Sequence, residues 1–134
     1  MRIGWSTATL FALVVVLACT LFPFHFCVRD PPFRSVWDVL LIPIGPDMAP
    51  DVVENVLLFL PLGFAMAGYF THRGLTTLAA LTAVLLLGLS VSYAIEVLQT
   101  FMPGRFTSLM DVLSNTAGAG LGVLCHRAWH REDQ

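Results

Sequence analysis

Apolar runs of membrane length constrain this chain more than any other feature. A helix needs about 20 mostly apolar residues to cross the roughly 30 Å hydrocarbon core of a bilayer. Four segments meet that requirement to differing degrees: 5–24, 52–70, 76–98 and 109–125. The third is the strongest, and the fourth is the weakest because it opens with Asp111 and is rich in glycine. The pattern predicts an all-α membrane protein, a bundle of four transmembrane helices. The small residues of the fourth helix predict that it is buried among the others.

The composition excludes several other classes of protein. Charged residues make up 12% of the chain and hydrophobic residues 57%, whereas a soluble domain is about 25% charged. These values argue against a soluble globular protein and against disorder. The net charge is −2, so no basic patch is present to follow a nucleic-acid backbone, and no nucleic-acid partner is expected. A length of 134 residues predicts a single domain, 1–134.

The cysteines and the first apolar segment allow other interpretations, which the sequence disfavours. Cys19, Cys27 and Cys125 include no CxxC pair and are odd in number, so neither a disulfide framework nor a zinc site is predicted. The residues Val-Leu-Ala-Cys at 16–19 resemble a lipoprotein cleavage box after a signal peptide. The residues after Cys19 are too apolar for the mobile tether of a lipidated cysteine, and this favours a plain membrane span.

Orientation follows from the arginines near the span ends. With the N-terminus inside, four arginines are cytoplasmic and three lie outside, and the tail 126–134 combines an aromatic anchor with basic residues. Both termini are therefore predicted to be cytoplasmic. The outer loop 25–50 contains an apolar stripe at helical spacing: Phe33, Val36, Trp37, Leu40 and Leu41. This stripe predicts a short amphipathic helix, which either lies in the outer membrane interface or caps the bundle.

The polar residues of the spans fall at the outer end of the bundle in this topology. They are Asp51, Glu54, Asn55, Glu96, Gln99, Arg105, Asp111 and Asn115, and Ser92 lies deeper in the third span. At about 100° per residue, Ser92, Glu96 and Gln99 share one face of the third span. Asp111 and Asn115 share a face of the fourth span with the GxxxG pair at 118 and 122, which permits close approach of a neighbouring backbone. The two polar faces are expected to point at each other, because an unpaired carboxylate in lipid is costly.

A weak internal repeat links the openings of two spans. The residues 51–55 (Asp-Val-Val-Glu-Asn) resemble 111–115 (Asp-Val-Leu-Ser-Asn). Either both aspartates cap helices, or two similar helix hairpins face a shared site. Pro61 in the second span predicts a structural kink, with a substrate-access feature as the alternative.

Glu96 is the strongest functional candidate, because ionisable residues inside spans mark functional sites by default. The alternative is a structural pair with Arg105. Arg105 suits an anionic head group or phosphate, or it neutralises Glu96 and Asp111. The surplus of carboxylates favours a general acid or base, with Glu96 and Asp111 as catalytic candidates, or a divalent cation held by oxygen ligands. No other cofactor and no specific metal ligand are predicted.

Two blocks of this sequence resemble the VanZ-like family of small bacterial membrane proteins. The first block is Asp51-x-x-x-Asn55-x-x-x-Phe59-x-Pro61-x-Gly63. The second and more specific block is Ser92-x-x-x-Glu96-x-x-Gln99, Pro103-Gly104-Arg105 and Asp111-x-x-x-Asn115-Thr116-x-Gly118-Ala119-x-x-Gly122. Asp47 and Glu54 match no position of the family pattern. The resemblance implies a multi-pass protein of the bacterial plasma (inner) membrane. It also implies a link to glycopeptide resistance of the teicoplanin type.

Three functions compete at this point. The first is a non-enzymatic protein of the cell envelope that binds a lipid head group or a lipoglycopeptide antibiotic at the outer face, through the polar residues named above other than Glu54. The second is a membrane enzyme that acts on a lipid-linked envelope molecule, although no nucleophile is evident. The third is a transporter or channel, which the apolar cytoplasmic half disfavours. Whether the protein is an enzyme, and its oligomeric state, stay open.

Overall fold

A computed structural model describes residues 4–27, 49–105 and 108–132, and they form four α-helices. The helices are α1 (Trp5–Leu21), α2 (Ala49–His72), α3 (Thr77–Gln99) and α4 (Leu109–Glu132). The all-helical class predicted from the apolar runs is confirmed for these residues. The amphipathic helix predicted around 33–41 lies outside the described residues.

Contacts between the helices fix an up-down-up-down order. Trp5 at the start of α1 packs on Gly68 near the end of α2, so these two helices run antiparallel. At the other end of α1, the Thr20 carbonyl accepts a hydrogen bond of 2.9 Å from Gln99 Nε2 in the last turn of α3. One end of the bundle, here called the site end, holds Leu21, Asp51, Gln99 and Leu109.

The closest packing in the bundle joins α2 to α4. A Cβ added at Gly118 would overlap the Val56 backbone, and one at Gly122 would overlap the backbone of Leu60 and Gly63. The close backbone approach predicted from the GxxxG pair is therefore confirmed. The lack of a side chain at both positions lets α2 and α4 pack in parallel with their backbones in contact.

Large apolar side chains are common on the outside of the bundle. The buried core includes Phe59, Leu62, Val84, Ile95 and Val123. Apolar side chains that are more than 40% exposed include Leu10, Phe11, Val14, Leu57, Leu78, Leu86, Leu121 and Leu124. A soluble monomer rarely exposes apolar side chains on this scale, so the outer faces suit an apolar solvent.

Two helices in the described part of the chain are long and apolar enough to cross a membrane: Asp51–His72, of mean hydropathy 1.6, and Thr77–Gln99, of mean hydropathy 2.2. At 17 residues, α1 is apolar but shorter. The structure confirms four helices among the described residues, and two of them have spanning length and composition. That all four cross a membrane stays a prediction. The low hydropathy of α4 follows from its small and polar residues, and for the same reason it is the weakest of the four predicted spans.

The helix ends differ from the predicted spans where local chemistry intervenes. The predicted first span ends at 24, but α1 ends at Leu21, two residues before Pro23, which has no N–H to donate. The predicted fourth span ends at 125, whereas α4 continues to Glu132. In α2, Pro61 lies inside a continuous helix with its side chain exposed.

Candidate functional site

A polar pocket of about 490 Å³ occupies the site end of the bundle. Every helix contributes to its wall. The lining residues are Cys19, Thr20, Asp51, Glu54, Asn55, Leu58, Ile95, Glu96, Gln99, Gly104, Arg105, Asp111 and Asn115. The structure therefore brings together in the pocket lining all the site residues predicted from sequence except Ser92, which accepts a hydrogen bond from the lining residue Asn115.

Glu96 is a buried carboxylate that ties the end of α3 to the start of α4. Its side chain is 2% exposed, and Oε2 accepts a hydrogen bond of 2.9 Å from the Ser108 backbone N–H. Arg105, the partner proposed for Glu96 in the structural alternative, instead donates to the Phe22 carbonyl at 3.4 Å and is exposed. Glu96 thus has a structural bond and also contributes to the pocket wall.

The two similar segments of the sequence meet at the pocket. Asn55 Nδ2 donates a hydrogen bond of 3.0 Å to Asp111 Oδ1, which joins the second turn of α2 to the first turn of α4. The side-chain cap of α4 comes from Ser108, whose Oγ accepts from the Met110 N–H at 3.1 Å. Asp111 is therefore a bridging residue in the first turn, where its charge also complements the helix dipole.

The polar faces of α3 and α4 point at each other, as their helical spacing predicts. Asn115 Nδ2 donates a hydrogen bond of 2.9 Å to Ser92 Oγ. Asn115 is 2% exposed, and its Oδ1 has no hydrogen-bond partner among the described residues. A buried acceptor without a donor costs free energy. The pocket wall therefore contains one acceptor, Asn115 Oδ1, that lacks a donor among the described residues.

Sequence reasoning missed the contribution of α1. Cys19 and Thr20 line the pocket, and the Thr20 carbonyl holds the Gln99 amide. No signal distinguishes these two residues within their apolar run. Ser108 was also missed, although Ser108-x-x-Asp111 before an apolar run has the spacing of a capping box.

Acidic groups outnumber basic ones in the pocket. Its described lining holds four carboxylates, those of Asp51, Glu54, Glu96 and Asp111, against the single guanidinium of Arg105. Asp51, Glu54 and Arg105 are exposed at the rim, while Glu96 lies deep. Among the described residues, no group of three or more His, Cys, Asp or Glu side chains is placed to hold a metal ion.

A family model described as VanZ/LLP1 matches residues 5–130, which include α1, α2, α3, all but the last two residues of α4, and every described residue of the pocket. The chain belongs to the VanZ-like family. Membership of this family agrees with the apolar helices and identifies the protein in general terms as a VanZ-like membrane protein. Comparison with curated proteins and with solved structures gives no match.

Proposed function

We propose that this VanZ-like protein crosses the bacterial plasma membrane four times, with both termini in the cytoplasm. In this proposal the site end faces outward, and its pocket binds the polar head group of a membrane lipid or of a lipid-tailed ligand such as a lipoglycopeptide antibiotic. The observation that carries the proposal is the polar pocket at one end of helices whose outer faces are apolar.

The size and surroundings of the pocket support a ligand with one polar and one apolar part. Sites for small molecules commonly measure about 300–1,000 Å³, and this pocket of about 490 Å³ falls in that range. The adjoining face of α1 exposes Phe11, Val14 and Val15. An acyl chain lying along that face would leave its head group beside Cys19, which lines the pocket.

Arg105 is the group best placed to hold a phosphate or carboxylate, because its exposed guanidinium lies at the rim and suits both geometries. Arg105→Ala should weaken binding about tenfold, the effect of losing one hydrogen bond to a charged group. Arg127→Ala is the matched control, since Arg127 is an exposed arginine at the other end of the bundle.

The rate at which the Cys19 thiol is alkylated can report ligand binding, because Cys19 lines the pocket. All three cysteines are free, and Cys125 is exposed far from the pocket. Teicoplanin, or a short-chain phospholipid, should slow alkylation of Cys19 by N-ethylmaleimide and leave Cys125 unaffected. Peptide mass spectrometry measures both rates in one sample. Equal protection of Cys19 in Arg105→Ala and Arg127→Ala would count against a role of Arg105, and no protection by any lipid or lipid-tailed ligand would refute the proposed function.

A second candidate is an enzyme that acts on a lipid-linked envelope molecule, favoured by the buried carboxylate of Glu96 in the pocket wall. Glu96→Gln separates the two roles, because glutamine keeps an oxygen for the Ser108 N–H and loses the acid/base group. The enzyme hypothesis predicts that the wild type converts a component of an envelope lipid extract and that a folded Glu96→Gln variant does not. Mass spectrometry of the extract before and after incubation provides the measurement.

A further inference from the structure

The charge of the pocket restricts what its ligand can be. Four carboxylates face one guanidinium in the described lining. A ligand that is only anionic would add negative charge to a site that already has a surplus, and like charges repel most strongly where water is scarce. The charge of Arg105 can neutralise only one of the four carboxylates. The site as a whole therefore favours a ligand that brings positive charge.

The hydrogen-bonding groups of the pocket also lack donors. Asn115 Oδ1 is buried without a partner among the described residues. Asn55 occupies one oxygen of Asp111, and the Ser108 N–H occupies one oxygen of Glu96. Each of these two carboxylates has a second oxygen able to accept. A ligand with several N–H donors would satisfy these acceptors together with Asn115.

A primary ammonium fits this arrangement better than the other common cations. It carries three N–H donors and one positive charge. A quaternary ammonium has no N–H, and proteins usually bind it within aromatic cages, whereas none of the described residues that line this pocket is aromatic. A divalent cation needs several oxygen ligands at about 2.0–2.6 Å, and no described group of acidic, His or Cys side chains is placed to hold one.

We propose that the ligand of this pocket presents a primary ammonium group to Asn115 and the surrounding carboxylates. An anionic group of the same head binds Arg105 at the rim. This inference rests on the proposed function and narrows it to an amine-bearing head group. Two sources share that chemistry: an aminophospholipid of the phosphatidylethanolamine type, and a lipoglycopeptide with a free amine.

Phospholipids with identical short acyl chains test the proposal on the full-length protein in neutral detergent. Phosphatidylethanolamine should protect Cys19 from N-ethylmaleimide at a concentration about tenfold lower than phosphatidylcholine or phosphatidylglycerol, because it alone adds charge-assisted N–H donors. Cys125 is the internal control. Teicoplanin with its amine free or acetylated forms the second arm, and the free amine should bind more tightly if the antibiotic is the source.

The variant Asp51→Asn/Glu54→Gln removes two acidic charges without a packing change, since both side chains are exposed at the rim. It should reduce the preference for phosphatidylethanolamine over phosphatidylglycerol at least threefold, because two of the four carboxylates lose their charge. Asn115→Asp, which keeps the size of the side chain and adds a charge, should increase that preference. Circular dichroism confirms that both variants fold.

The outcomes separate this inference from the proposed function. If phosphatidylglycerol protects Cys19 as well as phosphatidylethanolamine does, and Arg105→Ala weakens that protection, the proposed ammonium contact is refuted while head-group binding stands. Equal protection by phosphatidylcholine also refutes the proposal of a primary ammonium, since the quaternary nitrogen of this lipid donates no hydrogen bond. If neither a phospholipid nor either form of teicoplanin protects Cys19, both proposals are refuted.

Discussion

Gly118→Ala tests the close approach of α2 and α4, which places Asn55 beside Asp111 in the pocket wall. A Cβ at position 118 would lie 2.9 Å from Val56 Cα and 3.0 Å from the Val56 carbonyl carbon, and it would overlap the carbonyl oxygen. Atoms of the helix backbone cannot rotate away as a side chain does. The substitution therefore requires the two helices to move apart.

The expected cost follows from two opposing contributions to the free energy of unfolding. Forcing extra atoms into a packed interface costs about 1–3 kcal/mol, and obstruction by backbone places Gly118→Ala at the upper end. Alanine in place of glycine within a helix restores up to about 1 kcal/mol. The net prediction is a loss of about 2 kcal/mol.

Gly120→Ala is the matched control on the same helix. A Cβ there would lie 3.1 Å from Leu85 Cδ2, the end of a flexible side chain, so the gain in helix propensity should leave the protein equally or more stable. Unfolding by sodium dodecyl sulfate in mixed micelles, followed by circular dichroism, measures both variants. Equal stability of the two alanine variants, to within about 0.5 kcal/mol, would refute the backbone contact between α2 and α4.

Three further substitutions test individual interactions in the same unfolding assay. Ser108→Ala removes the side-chain cap of α4 and should cost about 1 kcal/mol, and an unchanged stability would contradict the cap. Asn55→Ala removes the bond to Asp111 and should cost about 1.5 kcal/mol, with weaker protection of Cys19 by ligand as a second readout. Burial lowers the pKa of His126, which lies beyond the predicted spans, below its ordinary value of 6.5, and the nearby His130 acts in the same direction. Below pH 6.5 the unfolded chain therefore binds more protons than the folded protein, so the free energy of unfolding should be greatest above that pH and fall below it. His126→Phe should flatten this dependence of stability on pH. An unchanged pH profile in the variant would contradict the burial of the His126 side chain.

Residue periodicity was sufficient to predict the four helices and the contact between the polar faces of α3 and α4. The apolar runs predict four helices, and four are present in the described residues. The spacing of Ser92 and Asn115 on their helices correctly predicts that these faces meet, as their hydrogen bond shows. Both predictions depend on geometry within a single helix, which 100° per residue determines.

Partners from distant parts of the chain could not be predicted in the same way. Glu96 bonds to a backbone N–H, that of Ser108, and any residue except proline offers that donor. The Thr20 backbone carbonyl accepts a hydrogen bond from Gln99. Every residue type has such a carbonyl, so the sequence does not indicate which one accepts. The boundary of α1 was missed because an apolar pattern continues past Leu21, while the chain stops being helical just before Pro23.

A structure of the protein determined in a bilayer that contains phosphatidylethanolamine tests the central claim most directly. We expect head-group density in the pocket, with an amine nitrogen about 3 Å from Asn115 Oδ1 and a phosphate beside Arg105. Density for a head group that places its phosphate among the carboxylates of Glu96 and Asp111, or a pocket that holds only water in that bilayer, would contradict it.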